Sequence, residues 1–226
     1  MSVRSTVGAK LAPLMSEAAP ALTSAFVREA LHRALHGIGP LPPAAEAADR
    51  QLREQRGDVD RAIHEVIENH VRYAGAQGLV TNVGGLVTAP VTIPANVTGL
   101  AMVQSRMIAG IAHLRGYDLT DPRVKNAVLT CILGEERIDE LVTALRLPAP
   151  PMAMATAPAH DPGLDQIVSA EVASDLISRV AGKRLAISVG RRVPLVGGLV
   201  GMGADGYATW KVGRYADREL LPRRRS

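Results

Sequence analysis

The stretch that decides the fold is YAGAQGLVTNVGGLVTAPVTIPANVTGLAMVQS, residues 73–105, which carries no charged side chain. Glycines and prolines interrupt it, among them Gly84, Gly85, Pro90 and Pro94. A simple spanning helix needs roughly 20 predominantly apolar residues, so the interruptions predict two shorter helical pieces. Two arrangements fit this pattern: a helical hairpin buried in a soluble core, and a re-entrant or shallowly inserted hairpin.

A second glycine-rich apolar run, VPLVGGLVGMGA, occupies residues 193–204. Its Gly197 and Gly201 have the spacing that lets helix backbones approach closely, and the run is too short to span a membrane alone. We expect the two uncharged segments to pack together through their glycines. The glycines assigned to this contact are Gly84, Gly85, Gly197, Gly198 and Gly201.

Elsewhere the apolar residues recur at three- and four-residue steps, and no strand-like alternation of useful length is present. The sequence therefore predicts an all-α fold, a compact multi-helix bundle that contains the two glycine-rich segments. We expect a single helical domain over residues 14–221. A Pro/Ala/Met-rich internal loop or extended spacer is expected at 148–163, and a basic tail at 222–226.

Composition excludes several classes of protein. Hydrophobic residues make up 47% and charged residues 21%, a globular balance that argues against global disorder. Aromatic residues are only 3%, too few for a nucleic-acid platform built from stacked rings. The single cysteine, Cys131, rules out an internal disulfide and a cysteine-based zinc cluster, and its helix position predicts a small buried residue.

The charge is unevenly distributed. Residues 179–226 hold 11 basic and 3 acidic side chains, a net +8, whereas residues 1–178 are net −4, and the whole chain is +4. A basic C-terminal quarter favours an anionic partner, either a membrane surface or nucleic acid. A solvated charged face is the alternative.

Aromatic residues cluster within this basic quarter at Tyr207, Trp210 and Tyr215. A helix that lies at a membrane interface uses amphipathic aromatic rings beside basic side chains. The predicted membrane-surface residues are Trp210, Lys211, Arg214, Tyr215, Arg218, Arg223, Arg224 and Arg225. The alternative is core packing of Tyr207 and Trp210, with the arginines in water. Nucleic-acid binding is less favoured, because the chain has no helix-turn-helix signature and no interleaved stacking residues.

A candidate polar site follows the first uncharged stretch. Its members are Gln104, Arg106, His113 and Asp118, and a soluble enzyme would use them as binding and acid–base groups. Asp118 would orient His113 as a base, or would instead stabilise the turn at Gly116 through an Asx contact. The Asx contact is the favoured interpretation.

The remaining titratable residues predict no catalytic residue, no metal site and no cofactor. The carboxylates of Glu135, Glu136, Asp139 and Glu140 share helix faces, which suits a solvated surface better than an acid–base pair. His32 and His36 are four residues apart but lack the His-Glu-x-x-His order of a zinc helix, so we expect surface histidines. The glycine-rich runs lack the Gly-x-x-x-x-Gly-Lys-Ser/Thr order of a phosphate loop.

Several motifs, in order along the chain, resemble those of the EcsC protein family. They are Gly75-x-x-Gly78, Gly84-Gly85, Pro90 and Pro94, then QSRMIAGIAH at 104–113, GYDLTDP at 116–122, and VPLVGGLVG at 193–201 followed by Asp205. The resemblance covers roughly residues 27–220. It implies an all-helical bacterial protein, cytoplasmic or membrane-associated, with a link to an ABC transporter or to secretion. It carries over no catalytic residue.

The leading hypothesis is therefore a non-enzymatic helical protein that associates with an anionic membrane surface or with a membrane protein complex. Its expected location is cytoplasmic, peripheral at the inner face of the membrane. A soluble enzyme with the polar site described above is the alternative, and nucleic-acid binding through the basic C-terminus is a weaker one.

Overall fold

The structure is a computed structural model in which the chain forms helices and no strand over the residues described. It describes the backbone of residues 24–83, 89–189 and 194–223, and the side chains of residues 24–75, 97–180 and 205–223. The helices are α1 (24–36), α2 (Ala44–Glu54), α3 (Val59–Val83), α4 (Ala89–Leu114), α5 (Pro122–Cys131), α6 (Glu135–Thr143), α7 (Pro151–Ala155), α8 (Pro162–Val189) and α9 (Pro194–Glu219). The predicted all-α bundle is confirmed.

Local signals in the sequence set several helix boundaries. The Asp58 carboxylate accepts a hydrogen bond from the backbone N–H of Arg61 at 3.0 Å and so caps α3. Asp121 caps α5 in the same way, and Pro122 occupies the first helical position, where a missing N–H is tolerated. Gly116 follows α4 with a φ of 87°, a left-handed conformation that glycine adopts without strain.

Helix α9 packs closely against α3 and α4 through its glycines. A Cβ added at Gly213 would lie 3.0 Å from Ile67 of α3 and 3.0 Å from Met107 of α4. Farther toward the N-terminus of α9, a Cβ at Gly206 would lie 3.6 Å from Val71. Gly213 therefore lies beside Ile67 and Gly206 beside Val71, so lower residue numbers in α9 are paired with higher residue numbers in α3. The two helices are antiparallel.

Helices α2, α3 and α4 meet at another glycine. A Cβ at Gly110 of α4 would lie 3.4 Å from Val66 and 3.5 Å from Ala48 of α2. Gly110 therefore lies beside Val66 while Met107 lies near Ile67, so α3 and α4 are also antiparallel. The remaining helices complete one core around this group, with large side chains such as Ile132 fully buried.

The Pro/Ala/Met-rich segment 148–163 is not an extended spacer throughout, contrary to the sequence prediction. It contains α7, in which Met154 and Ala155 are buried. Alanine and methionine favour helix, and Pro151 occupies the first helical position, where proline is preorganised. Packing of this short helix against α5 covers residues that an exposed loop would leave in water.

The predicted glycine contact between residues 73–105 and 193–204 lies outside the described residues. Gly84 and Gly85 fall in the gap between α3 and α4, and the surroundings of Gly197, Gly198 and Gly201 are not described. Among the residues that the structure does describe, no helix is both long enough and apolar enough to cross a membrane.

Candidate functional site

On helices α3, α4 and α9, the charged residues end at a common height along the bundle. Arg72 is the last charged residue of α3, and Asp205 is the first charged residue of α9. Because Gly206 lies beside Val71 and the helices are antiparallel, Arg72 and Asp205 lie at about the same height. Arg106, the first charged residue of α4, lies within about one helical turn of them, roughly 5 Å. We call this level the charge boundary.

Exposed aromatic rings lie at the charge boundary. Tyr207 and Trp210 of α9 are 63% and 41% exposed, and their rings stack with centroids 6.0 Å apart. Tyr73 of α3 is 63% exposed. The alternative in which Tyr207 and Trp210 pack into the core is therefore wrong, and the two form an exposed aromatic pair.

Buried polar side chains lie inside the bundle at the same level. Gln104 of α4 and Thr209 of α9 are fully buried, as is the neighbouring Ser105, and His70 of α3 is 9% exposed. The Gln104 carboxamide, both hydroxyl groups and Nε2 of His70 have no hydrogen-bond partner among the described residues. Each such group destabilises the fold by about 1–3 kcal/mol, so these residues are candidates for a functional role.

The state of His70 follows from its surroundings. Its Nδ1 lies 2.7 Å from the backbone carbonyl oxygen of Val66. A carbonyl can only accept, so Nδ1 carries the proton and Nε2 is left as an acceptor. Burial, the largest cause, lowers the pKa of His70 to about 4, after the hydrogen bond to Val66, which raises the pKa, and the positive charge of Arg106, which lowers it, are included. His70 is therefore neutral at physiological pH.

Replacing Gln104 by methionine is expected to raise the free energy of unfolding by about 1–3 kcal/mol, because the variant removes a buried amide that has no partner. Urea unfolding at neutral pH measures the change. The control is Asn126→Leu: Asn126 is also buried, but its amide donates to Asp165 at 2.8 Å, so this variant should be destabilised. A loss of stability in Gln104→Met would mean that the amide is satisfied in the folded protein.

Arg106 is half-buried and has no hydrogen bond or ion pair among the described residues. Gly110 and Val66 meet at the junction of α2, α3 and α4. Arg106 lies one helical turn from Gly110 on α4, and His70 lies one turn from Val66 on α3. Both residues are therefore close to this junction. Burial, the largest cause, lowers the pKa of Arg106, as does the positive charge of Arg50, whereas ionised Tyr73 and Glu46 would raise it. Its pKa is ordinarily so high that it remains a cation.

The four residues of the predicted polar site do not come together. Gln104 and His113 are nine residues apart on α4, about 13 Å along the helix axis. Gln104 points into the core, whereas Arg106, two positions later, points to a nearly opposite side because each residue turns the helix by about 100°. Two surface grooves on the described part of the chain, of about 460 and 630 Å³, contain none of the four residues.

The other two members of that site have local roles. His113 Nε2 lies 2.8 Å from a carboxylate oxygen of Asp49 on α2. The Asp118 carboxylate accepts hydrogen bonds from both the backbone N–H and the hydroxyl group of Thr120, each at 2.8 Å. The predicted Asx contact is confirmed, and these bonds hold the pKa of Asp118 below its usual value.

Cations of α9 are paired with carboxylates, which changes the predicted membrane-surface set. The pairs are Lys211–Glu136 (3.3 Å), Arg218–Glu135 (2.7 Å) and Arg214–Asp217 (3.2 Å). The acidic residues at the start of α6 are exposed, as expected for a solvated helix face. Two of them therefore neutralise part of the basic charge that the sequence assigned to a membrane surface.

Tyr215 does not belong to the membrane-surface set, because it is only 7% exposed and packs in the core. Arg223 lies over the ring of Tyr117, 5.5 Å from its centroid, so its side chain has an intramolecular partner. Arg224 and Arg225 lie outside the described residues.

The other candidate reactive residues are where the sequence predicts them. Cys131 is fully buried, and burial raises the pKa of its thiol well above the usual value. His32 and His36 are exposed on α1, with ring centroids 4.2 Å apart. Across the part of the chain that the structure describes, no three metal-ligating side chains cluster in a way that would hold an ion.

Fold and charge boundary together define an all-α bundle whose three central helices pass from a charged body into uncharged segments. A sequence profile of the EcsC protein family matches residues 6–224. The chain therefore belongs to the EcsC protein family. Curated proteins and solved structures give no significant match to it.

Proposed function

We propose that this protein associates peripherally with a membrane through the uncharged ends of α3, α4 and α9. The exposed aromatic pair, Tyr207 and Trp210, carries the proposal, since amphipathic rings prefer the layer between headgroups and acyl chains. The pair lies where charged residues give way to uncharged ones. Along α9 the uncharged end, Pro194 to Ala204, is followed by Asp205, by the aromatic pair and then by the charged body, so the rings lie within about two helical turns of the apolar end.

The length of the uncharged helical segments suits shallow insertion. Along α9, Pro194 to Ala204 extends about 15 Å at 1.5 Å per residue, and α3 from Tyr73 to Val83 extends about the same distance. The hydrocarbon core of a bilayer is about 30 Å thick. These segments match one leaflet, which supports the shallowly inserted arrangement over the buried one.

Charge at the boundary favours an anionic membrane surface. Arg72 is exposed and, like Arg106, has no ion pair among the described residues. Basic side chains near an anionic surface contribute about 1 kcal/mol each. The cations of α9 that are paired with carboxylates contribute less to the free energy of membrane binding. Binding should therefore depend more on insertion of the aromatic rings, and weaken less with added salt, than the basic composition of the C-terminus predicts.

Fluorescence of the full chain tests the proposal directly, because Trp210 is the only tryptophan. Adding vesicles that contain phosphatidylglycerol should shift its emission to shorter wavelength, as expected for an indole that leaves water. Lipids brominated near the headgroup should quench it more than lipids brominated at the acyl-chain end. Unchanged emission and no co-sedimentation with vesicles would reject the proposal.

A double variant, Tyr207→Ala with Trp210→Ala, should bind vesicles at least about tenfold more weakly, since loss of 1.4 kcal/mol of ring burial is already tenfold. Co-sedimentation measures the change. Leu221→Ala is the matched control, because Leu221 is 51% exposed but lies beyond the opposite end of α9. Equal weakening by both variants would contradict a specific role for the aromatic pair.

The absence of a catalytic role, the link to an ABC transporter and the bacterial, cytoplasmic setting remain predictions from the family resemblance. The enzyme alternative loses support, because Gln104 and His113 do not share a site. Binding to DNA in preference to vesicles, lost on raising salt, would favour the nucleic-acid alternative.

A further inference from the structure

Arg106 is a half-buried cation without a partner among the described residues. Burying a charge is unfavourable unless it is paired and hydrogen-bonded, and arginine is almost never deeply buried without such a partner. Many other arginines of the described chain do have partners, for example Arg115 with Asp217 at 2.7 Å. The guanidinium of Arg106 therefore has hydrogen-bond donors that no described residue accepts from.

Arg106 lies where helices α2, α3 and α4 meet. The junction is fixed by the close approach of Gly110 to Val66 and Ala48, and Arg106 extends from it one turn nearer the charge boundary. Glu46 and Arg50 of α2 lie near enough to act on Arg106 electrostatically, and they are 3.9 Å apart in an exposed pair. Tyr73 of α3 also lies near Arg106. With Glu46 and Arg50 offsetting each other, one uncompensated positive charge remains.

We propose that Arg106 binds a phosphate group at the membrane surface, with the hydroxyl group of Tyr73 at the rim of the site. The proposal rests on the proposed function and names the chemistry of the headgroup that this site would take. A guanidinium presents a planar set of N–H donors that matches two oxygens of one phosphate. The position suits a phosphate, since lipid phosphates lie at the level where apolar chains meet water.

A phosphate would also offset the desolvation of Arg106, for which no hydrogen bond or ion pair is present among the described residues. The same oxygens would accept a hydrogen bond from the Tyr73 hydroxyl group. The source of the phosphate is either a lipid headgroup or a soluble phosphate ester, and the two are separated by experiment.

The experiment compares neutral glycolipid vesicles, which contain no phosphate, with the same vesicles supplemented with phosphatidic acid. The full chain should bind the supplemented vesicles more tightly, by about five- to tenfold for each of the two cations at the charge boundary, Arg72 and Arg106. Arg106→Gln should lose the share of one cation, a loss of about five- to tenfold in this preference, while binding the pure glycolipid vesicles like the wild type. Arg61→Gln is the matched control, because Arg61 is exposed at the opposite end of α3, and it should keep the preference.

Thermal unfolding supplies a readout that a structural role would not produce. Arg106→Gln should unfold at the same or a higher temperature than the wild type, because it removes an unpaired, half-buried charge. A lower unfolding temperature for Arg106→Gln would assign Arg106 to the fold and overturn the proposal. An unchanged preference for phosphatidic acid in that variant would also overturn it.

Two measurements on the wild type need no variant. Glycerol 3-phosphate should compete away the preference for phosphatidic acid and leave binding to pure glycolipid vesicles unchanged, which would support a lipid phosphate. A rise in unfolding temperature with glycerol 3-phosphate alone, dependent on Arg106, would support a soluble phosphate ester. If glycerol 3-phosphate produces neither effect, the phosphate site is overturned. Absence of binding to any vesicle would instead reject the membrane role alone.

Discussion

Replacing Gly213 by valine is expected to lower the free energy of unfolding by about 3 kcal/mol or more. A Cβ at this position would already lie 3.0 Å from two carbons of Ile67 and from the sulfur of Met107. Adding two further methyl groups must displace α9 from α3 and α4. Overpacking of this kind typically costs about 1–3 kcal/mol, occasionally more, and valine is also a poorer helix former than alanine. Urea unfolding of the full chain measures the loss.

Gly206 supplies the matched control on the same helix. A Cβ there would lie 3.6 Å from Val71, an ordinary contact. Gly206→Ala should be neutral or stabilising by up to about 1 kcal/mol, since alanine is the better helix former, whereas Gly213→Ala should be destabilising. If Gly213→Val unfolds like the wild type, the close approach of α9 to Ile67 and Met107 is wrong.

Acid is expected to destabilise the protein through His70. Burial lowers the pKa of His70 from 6.5 to about 4 in the folded state, so the unfolded chain binds the proton more tightly. The stability that depends on neutral His70 is complete above pH 6.5 and is lost as the pH falls through 4. A shift of this size corresponds to about 3 kcal/mol between those limits.

The difference between wild type and His70→Phe isolates this contribution from that of the carboxylates, which titrate in part of the same range. Urea unfolding at pH values from 7 to 4 should show a steeper loss for the wild type, by about 3 kcal/mol in total. His64→Gln is the control, because His64 is an exposed histidine on the same helix. Parallel pH profiles for wild type and His70→Phe would show that His70 accepts a proton without unfolding.

The features that the sequence predicted correctly are mostly local. The all-α fold follows from helical periodicity. The cap at Asp121 and the Asx contact at Asp118 follow from hydrogen bonds to backbone groups two residues away. Such contacts depend on neighbours in sequence, so residue type and spacing are sufficient to predict them.

Errors arose where a side chain's environment is set by another helix. Tyr215 has the same local sequence signal as Trp210, yet it lies on the buried face of α9. Lys211 and Arg218 have the composition of a free basic surface, but the start of α6, remote in sequence, supplies their acidic partners. The contact predicted at Gly197 and Gly201 lies outside the described residues and stays a prediction, and the glycine contacts of α9 that the structure describes are at Gly206 and Gly213, for which no motif stood out.

Part of the candidate site was also missed. Gln104 and Arg106 were identified, but His70, Tyr73 and Thr209 were not assigned to it. One signal was available, since Tyr73 is the first residue of the uncharged stretch. The others become notable only when their burial and missing partners are known.

By itself the sequence determined that this chain is helical, that it belongs with the EcsC family, and that charge is absent from two long stretches. Each follows from composition, period or motif along a single line of residues. Only the tertiary structure decided that charge ends at one height on α3, α4 and α9. That height depends on the antiparallel register of the helices, fixed by the close packing at Gly206, Gly213 and Gly110. The same packing leaves Arg106 without an ion pair among the described residues and the aromatic pair exposed, because the directions of these side chains are set by which faces the helices bury.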